Sequence, residues 1–459
     1  MKLKNKNRKT EKQAIIFRLF LFCCTLFGVQ EIINAQNFEK IQFYEALKVL
    51  EKVEKTPKSP VIAIIDGAVR KELFSETVFW TNIHEIPNNN IDDDGNGYVD
   101  DYEGWNFSND TNDVINNGLG DWHGTPVFSL VNRLVSSAQK IKLMNLVKGD
   151  KIDEVLESLR YVLSMRKKYN ETGGKEGAFI VAVNCSWGKN MLWAADFPEW
   201  CSIYNELGEQ GVLVVSSVPN NNINVDEVGD MPSTCRSEYL LTVTNVNKLD
   251  EKVVEAAYGS YSVDIAAPGD RSVTLLNSGE YGVFGGTSAA APYVSGTIGL
   301  LYTVFIEQFQ NDIIERPQET ALLIKQLILE GSDKSVSLEN IITSEGRLNV
   351  FKSVKLLLDE YGENEKYEAV FSDLNIQKIY PNPVKNNCKL LIESDRSEEV
   401  SISIIDINGL IVETFSDFTI KGIKEVLINL ADFQLSRGIY FLQVRNESNL
   451  YDTTKMIVK

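Results

Sequence analysis

Histidine is almost absent from this chain of 459 residues, which contains only His84 and His123. A mechanism that needs an imidazole base therefore has few candidates, and the segment around His84 reads as an ordinary loop. Cysteine is also scarce, with six residues in the whole chain. Acidic residues outnumber basic ones, and the net charge of −18 argues against nucleic acid as a partner and suits a soluble secreted protein.

Two apolar stretches are candidates for a membrane span, and neither predicts a stable transmembrane segment. Residues 19–29 form an apolar run of 11 residues, well short of the ~20 that a helix needs to cross a bilayer. Residues 289–306 form a longer stretch, but it contains a proline and two glycines. We therefore expect this second stretch to form a buried helix.

The first 35 residues have the composition of a signal peptide. A basic segment precedes the apolar run, and Ala35 ends a small-residue cleavage site. The basic residues of this segment are Lys2, Lys4, Lys6, Arg8, Lys9 and Lys12. The sequence thus predicts export and removal of the leader; a retained membrane anchor is the alternative.

Export would remove Cys23 and Cys24, and the mature chain would keep Cys185, Cys201, Cys235 and Cys388. So few cysteines in a chain of this length do not form a disulfide framework. One bridge among Cys185, Cys201 and Cys235 is open, with Cys388 set apart in another domain.

Residues 285–296 read GGTSAAAPYVSG and place Ser288 at the start of an apolar helix. The N–H groups and the dipole at a helix N-terminus favour developing negative charge, which suits a nucleophilic hydroxyl. The alternative is a capped and tightly packed helix without chemistry. Residues 61–66, VIAIID, predict a buried parallel strand that ends in the carboxylate of Asp66, and His123 begins the segment HGTPV.

These three motifs resemble those of the subtilisin-like serine peptidases, in which acid, histidine and serine follow one another in this order. The resemblance implies that Ser288 attacks the scissile carbonyl, that His123 takes its proton and that Asp66 orients the imidazole. It further implies an oxyanion donor at Asn220, which follows Pro219 where the family has glycine, with Asn221 as the alternative. Ser186, Trp187 and Gly188 correspond to the strand that pairs with substrate.

The family resemblance implies a secreted serine endopeptidase that hydrolyses protein or peptide substrates without an organic cofactor. The chain departs from the family pattern at Gly67 and Ala68, where a hydroxyl usually follows the acid, and at Pro126, where a histidine is usual. The alternative is therefore a catalytically weak or inactive subtilase-like binding protein at the cell surface.

The C-terminal part has short alternating strands and turn signals, which predict a small β-sandwich. Residues 379–383, IYPNP, and 454–459, TKMIVK, resemble the type A sorting domain of type IX secretion. This resemblance implies the type IX secretion machinery as a partner and a final location outside the cell or on its surface. The fold class is thus α/β, with a subtilisin-like, mostly parallel sheet flanked by helices, and an all-β sandwich behind it.

Five segments are expected along the chain. They are a signal peptide (1–35), a short N-terminal helix and connector (36–57), a catalytic domain (58–358), an acidic linker (359–373) and the sorting sandwich (374–459).

Residues 92–103, DDDGNGYVDDYE, match the spacing of a twelve-residue calcium loop. The pattern predicts Ca²⁺ ligands at Asp92, Asp94, Asn96, Asp100 and Glu103, together with the carbonyl of Tyr98. A solvated acidic turn is the alternative. Because no helix pair flanks the loop in the sequence, we expect a structural ion rather than a calcium sensor.

Overall fold

The computed structural model describes residues 37–115, 122–136, 140–363, 374–406, 411–433, 435–446 and 451–459. The predicted signal peptide and most of the acidic linker lie outside these residues. The chain divides into two compact units, Met1–Tyr361 and Gly362–Lys459.

A mixed sheet of eight strands forms the centre of the first unit. Its strand order is β11-β12-β8-β7-β5-β3-β1-β2, and all neighbours are parallel except β11 and β12. The strands of the first unit are β1 (Val61–Asp66), β2 (Lys142–Val147), β3 (Ile180–Cys185), β4 (Lys189–Asn190), β5 (Leu213–Ser217), β6 (Asp230–Met231), β7 (Leu240–Val246), β8 (Ile265–Pro268), β9 (Ser272–Leu275), β10 (Tyr281–Phe284), β11 (Asp333–Lys334) and β12 (Gly346–Arg347). β4 pairs with β6 and β9 with β10, both antiparallel, outside the large sheet.

The inner strands are mostly apolar, and they are buried along their whole length because both faces of the sheet are covered. All six residues of β1 are buried, and so are all six of β3. In register, Ile64 of β1 lies beside Asn184 of β3. The carboxyl ends of β1 and β3 therefore meet at one edge of the sheet, and the predicted α/β fold is confirmed.

Nine α-helices are found in the described part of the chain. They are α1 (Phe43–Leu50), α2 (Gly124–Val135), α3 (Ile152–Glu171), α4 (Pro198–Glu209), α5 (Val225–Val228), α6 (Thr287–Leu301), α7 (Glu307–Glu315), α8 (Pro317–Glu330) and α9 (Val350–Glu360). Short 3₁₀ helices lie at Lys71–Leu73, Glu76–Val78, Ala194–Asp196, Val336–Leu338 and Leu430–Asp432.

Helix α6 accounts for most of the apolar stretch 289–306. All of its 15 residues are buried, so every face of the helix packs against protein. A helix that is apolar all round belongs in a core or a membrane. None of the helices in the described residues has the length and apolar character that crossing a bilayer requires.

One disulfide joins Cys201 of α4 to Cys235, which precedes β7. It resolves the three pairings that the sequence leaves open. Cys185 at the end of β3 is a free and fully buried thiol. Burial raises its pKa far above the usual range, so Cys185 is an inert apolar side chain. Cys388 is also free and buried, in the second unit.

The second unit is an antiparallel sandwich of five strands. They are β13 (Asn375–Tyr380), β14 (Asn387–Ile405), β15 (Ile411–Asn429), β16 (Gly438–Asn446) and β17 (Tyr451–Val458). β14 is long enough to pair with β13, β15 and β16. Alternate residues of β14 enter the core, among them Leu390, Ile392, Val400, Ile402 and Ile404. The predicted all-β C-terminal part is confirmed.

Candidate active site

The acid and the imidazole form a direct hydrogen bond at the carboxyl edge of the sheet. Asp66, the last residue of β1, accepts from His123 Nδ1 at 2.7 Å and from the Gly67 amide at 2.7 Å through the same oxygen, Oδ1. The Asp66 side chain is 2% exposed, whereas that of His123 is 25% exposed. An imidazole that donates from Nδ1 to a buried carboxylate keeps Nε2 as an acceptor, which is the tautomer that a general base needs.

Gly124 allows this close contact between β1 and the start of α2. A Cβ on Gly124 would lie 2.1 Å from the carbonyl oxygen of Gly67. Any larger residue after His123 would therefore push the imidazole away from the acid. The second carboxylate oxygen of Asp66 is buried and has no hydrogen-bond partner among the described residues. Gly67 and Ala68 carry no hydroxyl that could donate to it. The absence of the hydroxyl that usually follows the acid in this position therefore leaves this oxygen without a donor.

Ser288 is the second residue of α6 and is 6% exposed. Its N-cap, Gly286, has φ 88°, a left-handed conformation that glycine adopts without strain. The Ser288 hydroxyl donates to the carbonyl oxygen of Ser186 at 3.1 Å. The hydroxyl therefore lies at the helix N-terminus and beside the segment that follows β3.

The proline of α6 explains a second contact between the same two serines. Pro292 has no N–H, so the carbonyl of Ser288, four residues earlier, lacks its helical donor. The Ser186 hydroxyl supplies the missing bond at 2.9 Å. Asn184 Nδ2 in turn donates to Ser186 Oγ at 3.0 Å, and its Oδ1 accepts from Ser295 at 3.0 Å. A buried polar network thus fixes the backbone at Ser288.

Asn220 lies against the start of the same helix. Its Oδ1 accepts from the Thr287 amide at 2.9 Å and from the Thr287 hydroxyl at 3.2 Å. This arrangement orients the amide and leaves Nδ2 as a donor beside Gly286, where an added Cβ would lie 2.5 Å from Asn220 Oδ1. Asn221 is exposed, and its carbonyl accepts from the Ile223 amide at 2.8 Å. The structure thus places the Asn220 side chain, rather than that of Asn221, in hydrogen-bond contact with the start of α6.

The predicted substrate strand follows directly after β3. Trp187 is half-buried, and its indole N–H donates to the Ile65 carbonyl at 2.6 Å. Because the indole is tied to β1, it forms a wall of the site rather than a mobile cover. Trp187 and Ser186 line a cleft of about 610 Å³ together with Asp66 and His123. Gly188 is exposed at the end of this segment.

The acidic loop is organised around Glu85, a residue outside the predicted motif. One oxygen of Glu85 accepts from the amides of Asp93 and Asp94, at 2.9 and 3.0 Å, and the other accepts from Asp100 at 3.1 Å. Carboxylate oxygens of Glu85, Asp92 and Asp94 lie within 4.8 Å of one another. Such oxygen donors suit a hard divalent cation.

The predicted calcium ligands also contact protein groups, and Asp92, for example, accepts from the amides of Asn96 and Gly97. Glu103 forms an ion pair with Lys71. Asp100 accepts from the amides of Asn89 and Asn90 at 3.0 and 2.8 Å. The Asn96 side-chain oxygen accepts from the Tyr98 amide at 2.8 Å. The loop is thus built as a series of side chain-to-backbone turns, which the spacing of the motif does not predict.

Asp101 anchors this loop to the core. Its carboxylate is fully buried and accepts from Tyr161 at 2.6 Å, Asn82 at 2.7 Å and Asn96 at 2.8 Å. Burial raises the pKa of Asp101 to about 6, and the three donors act in the opposite direction. The loop therefore holds one carboxyl that titrates close to neutral pH.

Residues 57–344, well over half of the chain, match the model of the subtilase family. The chain belongs to the subtilase family of serine proteases. Among its relatives, subtilisin-like protease 2 of Plasmodium falciparum is 27% identical over 267 residues, which cover 53% of this chain and 19% of the relative. The major intracellular serine protease of Bacillus subtilis is 27% identical over 136 residues, which cover 30% and 42%. The chain thus spans less than half the length of these curated relatives.

Solved structures show the same subtilase fold. A structure of subtilase cytotoxin assembly covers 71% of this chain and 97% of its own, with a TM-score of 0.53 at 18% identity. A lanthipeptide protease covers 71% and 93%, with a TM-score of 0.50 at 16% identity. Identities this low support the fold alone.

Residues 378–459 match the model of the secretion system C-terminal sorting domain. This match covers most of the second compact unit, Gly362–Lys459. It indicates export of this subtilase by type IX secretion, to the cell surface or the medium.

Sequence reasoning missed three features of this subtilase. Glu85 lies before the calcium motif and gives no local signal. The exchange of hydrogen bonds between Ser186 and Ser288 could have been inferred from Pro292, because a proline inside a helix always leaves a carbonyl free. The third is Asp230 of β6, a fully buried acid that follows the short helix α5 and belongs to no motif.

Proposed function

We propose that this subtilase is an exported serine endopeptidase that cleaves peptide bonds in proteins with Asp66, His123 and Ser288. The observation that carries the proposal is the 2.7 Å hydrogen bond between His123 Nδ1 and buried Asp66, with the His123 ring 5.3 Å from that of Phe284, four residues before Ser288. This bond supports His123 as the base and leaves its second nitrogen for the serine proton.

In the proposed reaction, Ser288 Oγ attacks the substrate carbonyl and His123 accepts its proton. His123 then donates that proton to the leaving amine, and water releases the acyl group by the same steps in reverse. Asp66 stabilises the imidazolium that forms in between. The acid keeps its geometry through the Gly67 amide, at 2.7 Å, and through burial.

Asn220 is the proposed donor to the oxyanion. The hydrogen bonds from Thr287 to Oδ1 fix the orientation of the Asn220 side-chain amide. Its Nδ2 is therefore oriented as a donor before substrate binds. Removing such a donor costs about 3 kcal/mol of transition-state stabilisation. We therefore expect Asn220→Ala to lower kcat by about a hundredfold, while Asn221→Ala, the matched neighbour, leaves kcat near that of the wild type. The opposite result would move the role to Asn221.

The test of the catalytic proposal uses a fluorophosphonate probe that reacts with activated serine. Wild type should be labelled, whereas Ser288→Ala and His123→Ala should not be, with folding checked by circular dichroism. Ser202→Ala, a surface serine on α4, is the control and should be labelled like wild type. Failure of the folded wild-type protein to react, together with no cleavage of unfolded protein, would favour the inactive binding protein.

We further propose that the 85–103 loop binds Ca²⁺ as a structural ion. Glu85, Asp92 and Asp94 would hold it, since their oxygens already lie within 4.8 Å of one another. Bound Ca²⁺ would offset the repulsion of these carboxylates and stabilise the loop between Asp66 and His123. We expect Ca²⁺ to raise the Tm of wild type, and Asp94→Ala to abolish this response. Glu103→Ala should retain it, because Glu103 pairs with Lys71. A Tm indifferent to both Ca²⁺ and chelator would contradict this proposal.

A further inference from the structure

Asp230 is a buried acid that lacks a compensating charge. Its residue exposure is 0%, and one carboxylate oxygen, Oδ2, accepts from the Ser233 hydroxyl. The other oxygen, Oδ1, is buried without any hydrogen-bond partner among the described residues. Leaving such a group unpaired is costly, so a residue of this kind marks a place where a partner is expected.

Asp230 lies directly behind Gly188, the exposed end of the substrate strand. A Cβ built on Gly188 would lie 3.3 Å from Asp230 Oδ1 and 3.7 Å from Oδ2. The Met231 carbonyl oxygen is the nearest neighbour of that Cβ position, at 3.0 Å, so only backbone atoms of Gly188 and Met231 lie beside the carboxylate here. β4, which follows Gly188, pairs with β6 and holds the acid in this position.

Two lysines near the substrate strand have other contacts: Lys189 follows Gly188, and Lys148 lines the cleft with Trp187. Lys189 Nζ donates to the Asp150 carbonyl at 2.7 Å. Lys148 Nζ lies 5.7 Å from the centre of the Trp187 ring. No ion pair of Asp230 is formed within the described residues. A cation on a bound substrate would supply the charge that these residues do not.

We propose that Asp230 selects substrates with lysine or arginine at the position that supplies the scissile carbonyl. This inference rests on the proposed function of Ser288. Ser186 contacts Ser288 and is two residues from Gly188, a span of at most ~7 Å in an extended chain. The long stem of lysine or arginine covers such a distance, so a substrate residue held at Ser288 can bring its cation over Gly188.

The electrostatics of the site favour this choice. Burial raises the pKa of Asp230 to about 7, and the Ser233 hydrogen bonds oppose that shift. A substrate cation would stabilise the charged carboxylate in surroundings that contain little water, where opposite charges attract strongly. The net charge of −18 also attracts cationic substrates at longer range.

The test uses a pair of peptidyl diphenyl phosphonates that differ only in the reacting residue, lysine or its uncharged analogue norleucine. Ser288 Oγ forms a bond to phosphorus, phenol leaves, and the serine proton passes through His123. We expect wild type to be inactivated about a hundredfold faster by the lysine compound, as for a charge pair in a desolvated pocket.

Two variants isolate the acid. Asp230→Asn keeps the size of the side chain and a partner for Ser233, and should reduce the lysine rate to the norleucine rate without slowing norleucine. Asp226→Asn is the matched control, because Asp226 Oδ1 is also buried without a partner but faces Gly259. It should keep the hundredfold preference of the wild type.

The possible outcomes separate this inference from the proposed function. Equal rates for the two compounds in wild type, or no reaction of the lysine compound, would overturn the role of Asp230 while fluorophosphonate labelling upheld the serine mechanism. Retention of the preference in Asp230→Asn would do the same. Loss of all labelling, including that by fluorophosphonate, would overturn both.

Discussion

Several residues around the site have unusual hydrogen bonding. Asp66 and Asp230 each bury an oxygen without a partner among the described residues, while Ser186 and Ser288 exchange two hydrogen bonds. Most buried polar atoms in proteins are satisfied, so such exceptions concentrate where chemistry or recognition takes place. Substitutions at these residues test that relation directly.

The bond from Ser186 to the Ser288 carbonyl predicts a coupling between Ser186 and Pro292. Ser186→Ala should cost about 1–3 kcal/mol of unfolding free energy, because it leaves a buried carbonyl unpaired. Pro292→Ala restores an N–H to the helix, so Ser186→Ala should cost less in that background. A double-mutant cycle by chemical denaturation measures the difference. A coupling energy of zero would show that the two residues act independently.

Asp230 also predicts a dependence of stability on pH. Burial raises its folded pKa from the usual 3.8 to about 7, so the folded protein holds a proton that the unfolded chain releases. Stability should therefore fall as pH rises through this window. Compared with Asp230→Asn, wild type should lose about 3 kcal/mol more unfolding free energy between about pH 5 and about pH 8. Denaturation midpoints at several pH values, with Asp226→Asn as control, measure this difference.

At the scale of elements, the candidate site is assembled from strand ends and helix starts. Asp66 ends β1, Ser288 is in the first turn of α6 and His123 is the N-cap of α2. This placement follows from the parallel sheet, whose carboxyl edge is where connections to helices begin. The elements therefore present functional groups without strain in the strands themselves.

The local motifs could be recognised in the sequence because each one combines an element boundary with a reactive group. The buried strand before Asp66 and the apolar helix after Ser288 have clear patterns, and both form as expected. Asp230, Glu85 and the choice of Cys201 with Cys235 could not be predicted, since their roles depend on contacts between distant loops. Glu103, a predicted calcium ligand, forms an ion pair with Lys71 that the spacing of the motif does not predict.

The disulfide ties α4 to the segment between β6 and β7. Closing a loop with a sequence separation of 34 is expected to contribute about 3–4 kcal/mol. We expect the Cys201→Ser, Cys235→Ser double variant to lose that unfolding free energy, and wild type to match it after reduction. Cys185→Ser, a buried thiol outside the bridge, should remain sensitive to reductant. Insensitivity of wild-type stability to reductant would argue against the bridge.

On the scale of the whole molecule, the chain consists of two compact units with separate cores. The first matches the subtilase model and the second the sorting model. Domains with their own cores fold and act separately unless a large interface joins them. Proteolysis and export are therefore expected to depend on different parts of the chain.

Deletion of residues 374–459 should test this division of labour. The truncated protein should keep the fluorophosphonate reactivity and kcat of the full chain, because every proposed catalytic residue lies in the first unit. In the producing cell it should fail to reach the surface or the medium, measured by fractionation. Normal appearance of the truncated enzyme outside the cell would contradict the role of the second unit in export.

The Cys201–Cys235 bridge has a consequence for where the protein becomes fully competent. Cys235 lies five residues beyond Asp230, so the bridge anchors the segment that carries the recognition acid. Thiols stay reduced in the cytosol and oxidise outside it. We therefore expect the bridge to be absent, and the segment of Asp230 less firmly held, while the newly made chain is still in the cytosol. The preference for lysine or arginine would then develop only after export, when the disulfide forms. The redox state of the compartment would thus affect which substrates are cleaved.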